Sequence, residues 1–268
     1  MSSIRCWQVD AFTDQPFKGN AAAVCLLDRA ASADWMQAVA AEMNLSETAF
    51  VRPVDDRYEL RWFTPQVEVD LCGHATLAAS HSLWSANLVG ADTPIEFTTK
   101  SGVLTCIQRD GWTEMNFPAL PAAKKPPHAG LLEALGIERP RFTGMTKFDT
   151  LVELESPDAV RTLQPDFRAL AEVPTRGVIV TARSEEPSFD FVSRFFAPRV
   201  GIDEDPVTGS AHCCLAPYWS DQLGKQAMLA HQASKRGGVL RLTLQDNRVL
   251  IGGQACTIWQ GELLTPQD

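Results

Sequence analysis

The apolar residues Trp35, Met36, Val39, Ala40 and Met43 recur at spacings of three, four and seven, which predicts a surface helix with one buried face. A second such helix is expected at "PDFRALAEV", with Pro165 in its first turn. Two further stretches have a different character. "ATLAASHSLW" from Ala75 and "SAHCCLAPYW" from Ser210 are crowded with Ala, Ser and Cys and nearly free of charge, as suits a helix approached closely on all sides by sheet. The β-rich runs "GVLTCIQRDGW" from Gly102 and "GVLRLTLQDNR" from Gly238 are broken by Asp110-Gly111 and Asp246-Asn247, so both predict hairpins.

These elements come in duplicate. "RWFTP" at Arg61 returns as "RFFAP" at Arg194, 133 positions later, and Gly73, Ala75 and Gly102 return as Gly209, Ala211 and Gly238, 136 positions later. A fainter echo, "TAFV" at Thr48 against "GVIV" at Gly177, has an offset of 129 and sets Arg176 opposite Glu47. The expected architecture is α/β in the broad sense (α+β), with two pseudo-symmetric lobes. Residues 1–120, joined by the last residues of the chain, form one lobe, residues 131–258 form the other, and the Pro/Lys-rich Pro118–Gly130 links them.

Composition narrows the partners. A net charge of −9 on 268 residues argues against an electrostatic grip on nucleic acid or anionic lipid, and no apolar run approaches the roughly 20 residues that span a bilayer. Seven scattered cysteines, an odd number, fit a reduced cytoplasmic setting. The Cys and His residues never fall into CxxC, HxxxH or HExxH spacing, so no metal site is expected, and adjacent Cys213 and Cys214 read as core-facing. Without GxGxxG or GxxxxGK, no nucleotide cofactor is indicated.

The two small-residue helices begin at "CGH" and "TGS", where unpaired N–H groups and the helix dipole offer a place for a carboxylate or oxyanion. Gly73 and Gly209 let a ligand approach the backbone; the competing reading is that Thr208 or Ser210 simply caps a helix. Asp205 precedes Pro206, which favours an extended backbone that aims its carboxylate inward, whereas Asp203 and Glu204 read as acids of a solvated loop. His74 occupies the corresponding place in the first lobe, while His81, His128, His212 and His231 read as structural. Glu47, in "NLSETAFV" between a helix and a β-rich run, is either a loop or capping acid or a proton carrier.

Together "VDAFTDQPFKGNAAAVCLL", "EMNLSETAFV", "RWFTPQVEVDLCGHATLA", "DEDPVTGSAHCCLAPYWSDQLGK" and "RGGVL" closely resemble the phenazine-biosynthesis-like (PhzF-like) isomerase family. The wording is nearest the branch containing the animal phenazine-biosynthesis-like domain protein. The resemblance implies the diaminopimelate epimerase-like fold, each lobe a sheet curled around a central helix with the active cleft between lobes. It also implies a cofactor-free isomerase moving a proton within a small carboxylic acid, and a homodimer. Carried over, Glu47 is the proton shuttle, His74, Asp205 and Ser210 bind and polarise substrate, and Asn20, Gly73 and Gly209 line the cleft. Here Ala21 stands where the family wording "GNPAAV" has proline. Related epimerases place a cysteine at each helix start; here the pair is Cys72 and Thr208, and a threonine hydroxyl is a poor carbon base, so their roles are expected to be minor. The alternatives are an inactive binding or scaffold protein on the same fold, or a Cys72/Thr208 epimerase or dehydratase of hydroxyproline type.

Overall fold

The computed structural model describes residues 3–264. Its chain forms two compact units, the first running to Asn116 and taking in the segment from Gly252 onward, the second covering Phe117–Ile251. In the first unit, strand Ile4–Ala11 pairs antiparallel with Asn20–Leu26 on one side and with Ala255–Leu263 on the other. Residues 255–258, expected in the second lobe, are therefore strand partners of the first. Helix α1 (Ala33–Met43) follows, Glu47–Val54 returns parallel to Asn20–Leu26, and Arg57–Phe63 adds on antiparallel.

Helix α2 (Gly73–Ser85) packs against the strands Ile4–Ala11, Asn20–Leu26, Glu47–Val54 and Ala255–Leu263. Small side chains permit this enclosure, and its polar ones are satisfied internally. Thr76, Ser80 and Ser82 each donate a hydroxyl hydrogen to the carbonyl four residues back, at 2.6, 2.9 and 2.9 Å. Helix α1 instead covers one face with Trp35, Met36, Val39 and Ala40 against Phe50 and Phe63, and Ser32 caps its start by accepting from the Trp35 N–H.

The second unit repeats this order. After helix α3 (Leu131–Leu135), Phe142–Met145 and Asp149–Glu153 form a hairpin, and two short helices, α4 (Pro157–Thr162) and α5 (Phe167–Ala171), follow. Gly177–Arg183 then returns parallel to Asp149–Glu153, with Phe191–Ala197 antiparallel beside it. Helix α6 (Gly209–Leu223) leads to Ala227–Gln232 and Gly238–Gln245. The covering helices bury Leu135, Val160 and Leu170 against Val152, Val180 and Phe196.

Local chemistry shifts several expected boundaries. Pro165 lies before its helix, because Asp166 is the cap, accepting from the Arg168 and Ala169 N–H groups; Pro157 takes the first-turn place in α4. The stretch 118–130 is not a free linker. Three of its N–H groups donate to other elements: Ala119 to the Asn247 carbonyl, Leu120 to Cys213 and Lys125 to Thr143. Both hairpin signals hold, with Asp110, Gly111 and Asp246 at positive φ.

Sheet register also corrects the repeat. Thr48 faces Phe63 and Val178 faces Phe196, so with Phe63 and Phe196 as equivalents the counterpart of Glu47 is Gly177, one place from the expected Arg176. A Cβ at Gly177 would lie 2.2 Å from the Phe195 ring. The second unit has no room for a side chain where the first carries its acid.

Candidate active site

Three elements of the first unit bring Glu47, His74, Cys72 and Asn20 together. Asn20 opens its strand after Gly19, whose φ of +61° and nearness to the Ala11 carbonyl exclude a side chain. Glu47 opens the neighbouring parallel strand, and Cys72 and His74 occupy the cap and second residue of α2. His74 Nε2 lies 3.1 Å from Glu47 Oε2, with side-chain exposures of only 6% and 14%. On the other edge of the ring, Nδ1 lies 3.5 Å from Cys72 Sγ and 3.3 Å from Asn20 Nδ2.

Burial opposes a charge on His74, but the Cys72 sulfur and the Glu47 carboxylate more than offset it, so the imidazole is held well above its ordinary value. Burial, and next the charge of Glu47, push the Cys72 thiol up, so at neutral pH the sulfur is a neutral thiol. Of the two groups flanking the ring, Glu47 is therefore the one whose charge faces it at neutral pH. As placed, Asn20 Nδ2 donates to Nδ1, which fits a ring carrying its proton on Nε2, toward Glu47. The Glu47 carboxylate thus stands at the Nε2 edge of the ring and the thiol at the Nδ1 edge.

Glu47, Cys72 and His74 also place three ligand-type atoms within 4.8 Å of one another. The sulfur faces Nδ1 and the carboxylate faces Nε2, however, and a metal ion binds one ring nitrogen at a time. The sulfur and the carboxylate thus flank opposite edges of the ring and do not share one ring nitrogen.

Neither helix start is capped by a side chain. Cys72 and Thr208 hold the cap positions with extended backbones and make no side-chain capping hydrogen bond. The Thr208 hydroxyl instead donates to Asp205 Oδ2 at 2.5 Å, so its expected capping role gives way to fixing Asp205. Gln232, fully buried and carrying no sequence motif, secures the same turn: its Oε1 accepts the Thr208 N–H at 2.8 Å and its Nε2 donates to the Asp205 carbonyl at 2.8 Å.

Ser210 accepts from Arg176 Nη2 at 3.1 Å, and Arg176 is itself held by the buried carboxylate of Asp149, 2.8 Å from Nε and 2.5 Å from Nη2. Asp149 and Gln232 escaped sequence reasoning. The only signal for Asp149 was an acid at the head of an apolar run. Glu204 is not a solvated loop acid: it forms a two-point ion pair with the buried Arg194, at 2.6 and 2.9 Å. The first unit has the same device in Arg61 and Glu68, at 2.7 and 2.9 Å. His212 is structural, stacked on Phe191 and bonded to the Thr208 carbonyl, with burial lowering it to about 4. Cys213 and Cys214 are buried, and burial pushes each up to about 12.

The model of the phenazine biosynthesis-like protein family (PhzC-PhzF) matches residues 9–261. The chain belongs to that family. It is 51% identical over 98% of its length to the whole of a protein of Halalkalibacterium halodurans named an uncharacterized isomerase. It is 41% identical to phenazine biosynthesis-like domain-containing protein 2 of mouse, covering 95% of this chain and 96% of that one. The crystal structure of a PhzF family protein of Enterococcus faecalis superposes with a TM-score of 0.94 at 40% identity, covering 98% of this chain and 100% of that one. A probable proline racemase of Agrobacterium radiobacter, 11% identical with a TM-score of 0.63 over 99% of this chain and 94% of that one, shares the diaminopimelate epimerase-type fold. Within this phenazine biosynthesis-like family the chain is an isomerase. Among the described residues no helix is long and apolar enough to cross a membrane.

Proposed function

We propose that the chain isomerises a small carboxylic acid by moving a proton within it, with Glu47 as general acid and base and no cofactor. The observation that carries this reading is the Glu47–His74 pair, a largely buried carboxylate 3.1 Å from an imidazole nitrogen. Glu47 takes a proton from carbon next to a carboxylate or carbonyl and returns it at another carbon. His74 and the uncapped N–H groups from Gly73 onward stabilise the enolate-like charge that develops. Asn20 fixes the ring. Asp205, Ser210 and Gly209 are assigned to substrate binding as a separate part of the proposal, resting on the fixed Asp205 carboxylate and the uncapped start of α6.

A Cys72/Thr208 two-base mechanism is disfavoured, because the thiol is pushed up and the threonine hydroxyl already donates to Asp205. The test is incubation in heavy water with a panel of small amino, hydroxy and unsaturated carboxylic acids, followed by mass spectrometry. Wild type incorporates deuterium into at least one of them. Glu47→Gln loses at least about 10²-fold in exchange rate while Cys72→Ser retains it. Exchange that survives in Glu47→Gln removes Glu47 from the mechanism, and no exchange with any acid favours a binding protein on this fold.

A further inference from the structure

His128, Lys147, Phe148, Asp149, Arg176 and Arg199 line a cavity of about 520 Å³ in the second unit, and none of them belongs to the Glu47 centre. Its charge is opposite to that of the chain, which is −9 overall. Asp149 is the single acid on the wall, and it is buried and engaged at two points by Arg176. Among the described residues Lys147 and Arg199 have no carboxylate partner. Lys147 sits over the Phe148 ring, with Nζ 5.1 Å from its centre, and Arg199 is steadied by its Nη1 bonds to the carbonyls of Ala171, Glu172 and Val173. Among the described residues no hydrogen bond engages Arg176 Nη1 or Arg199 Nε and Nη2, which can donate.

We propose that this cavity binds a small phosphate ester with an aromatic or apolar body. Lys147 and Arg199, the two cations left without a carboxylate, suit a group of two negative charges with several acceptor oxygens, whereas a monocarboxylate would leave half of that charge unmatched. Phe148 is 42% exposed, with Lys147 and Arg176 over its ring, so apolar surface stands directly against the charged groups. The volume suits a small molecule rather than an extended acidic peptide.

Isothermal titration of the full chain at constant ionic strength tests this, with phenyl phosphate, inorganic pyrophosphate and benzoate as probes. Phenyl phosphate is expected to bind saturably, one per chain, at least tenfold more tightly than benzoate. Lys147→Glu and Arg199→Glu each weaken it at least tenfold, Lys147→Arg retains it, and Phe148→Leu weakens phenyl phosphate more than pyrophosphate. Arg176 is left unchanged because it holds Asp149, and circular dichroism confirms that each variant is folded. Absence of saturable binding, or equal affinity in the charge-reversed variants, overturns the proposal. So does a hexaglutamate peptide that displaces phenyl phosphate at lower concentration, because the site would then be a peptide surface. Deuterium exchange at the Glu47 centre is read independently, so failure here leaves the isomerase reading standing.

Discussion

Replacing Glu47 by Gln removes the countercharge of a buried imidazolium. At 3.1 Å and an effective dielectric of about 20, the lost attraction is about 5 kcal/mol, comparable to the several kcal/mol that burying one ion costs. With the carboxylate gone, burial decides, and His74 becomes neutral near pH 7. In the wild type His74 is held above its unfolded value of about 6.5, so the native state retains a proton that the unfolded chain has released. Its stabilising contribution is complete below that unfolded value and disappears as pH rises through the folded one. Between pH 7 and 8 this gives a slope of up to about −1.4 kcal/mol per pH unit, absent from Glu47→Gln. Urea denaturation of both proteins across that window, as a difference, cancels the other histidines. Because the charge of Glu47 also helps keep Cys72 protonated, the comparison is repeated in a Cys72→Ser background, where no thiolate can take over as countercharge. Parallel stability–pH curves for the two proteins would refute an imidazolium at His74.

Three further outcomes are expected. Glu204→Ala leaves the guanidinium of Arg194, 9% exposed, without its countercharge and should cost about 3–5 kcal/mol in urea denaturation, whereas an effect within about 0.5 kcal/mol would return Glu204 to the solvated loop. Gly177→Ala pushes a methyl group into the Phe195 ring and should cost about 1–3 kcal/mol; an unchanged midpoint would show that the ring yields freely. Iodoacetamide followed by peptide mass mapping should label Cys256 first, the one thiol of the seven that is not buried, and labelling of Cys72 at a comparable rate would contradict its enclosure beside His74.

The duplication, the covering helix Ala33–Met43 and the two small-residue helices were readable in the chain, because side-chain periodicity and crowding of Ala, Ser and Cys report directly on which faces are buried. Glu47 and His74 were each nominated separately. Nothing in their 27-residue separation says that they meet, since that depends on the parallel register setting Glu47 opposite Ala22 and on α2 lying against the same strands. Asp149, Gln232 and the Arg194–Glu204 pair were hidden for the same reason, each being a polar side chain whose partner is supplied by another element.

The amino-acid order by itself determined what each element is and that the elements recur, because helix and strand preference, capping and turn chemistry are local. Three-dimensional packing alone decided which charges are paired, which helix starts stay uncapped, and that Gly177 is the position without room for a second acid. Burial and partner distance control protonation, and both arise only when distant strands close around the same few atoms.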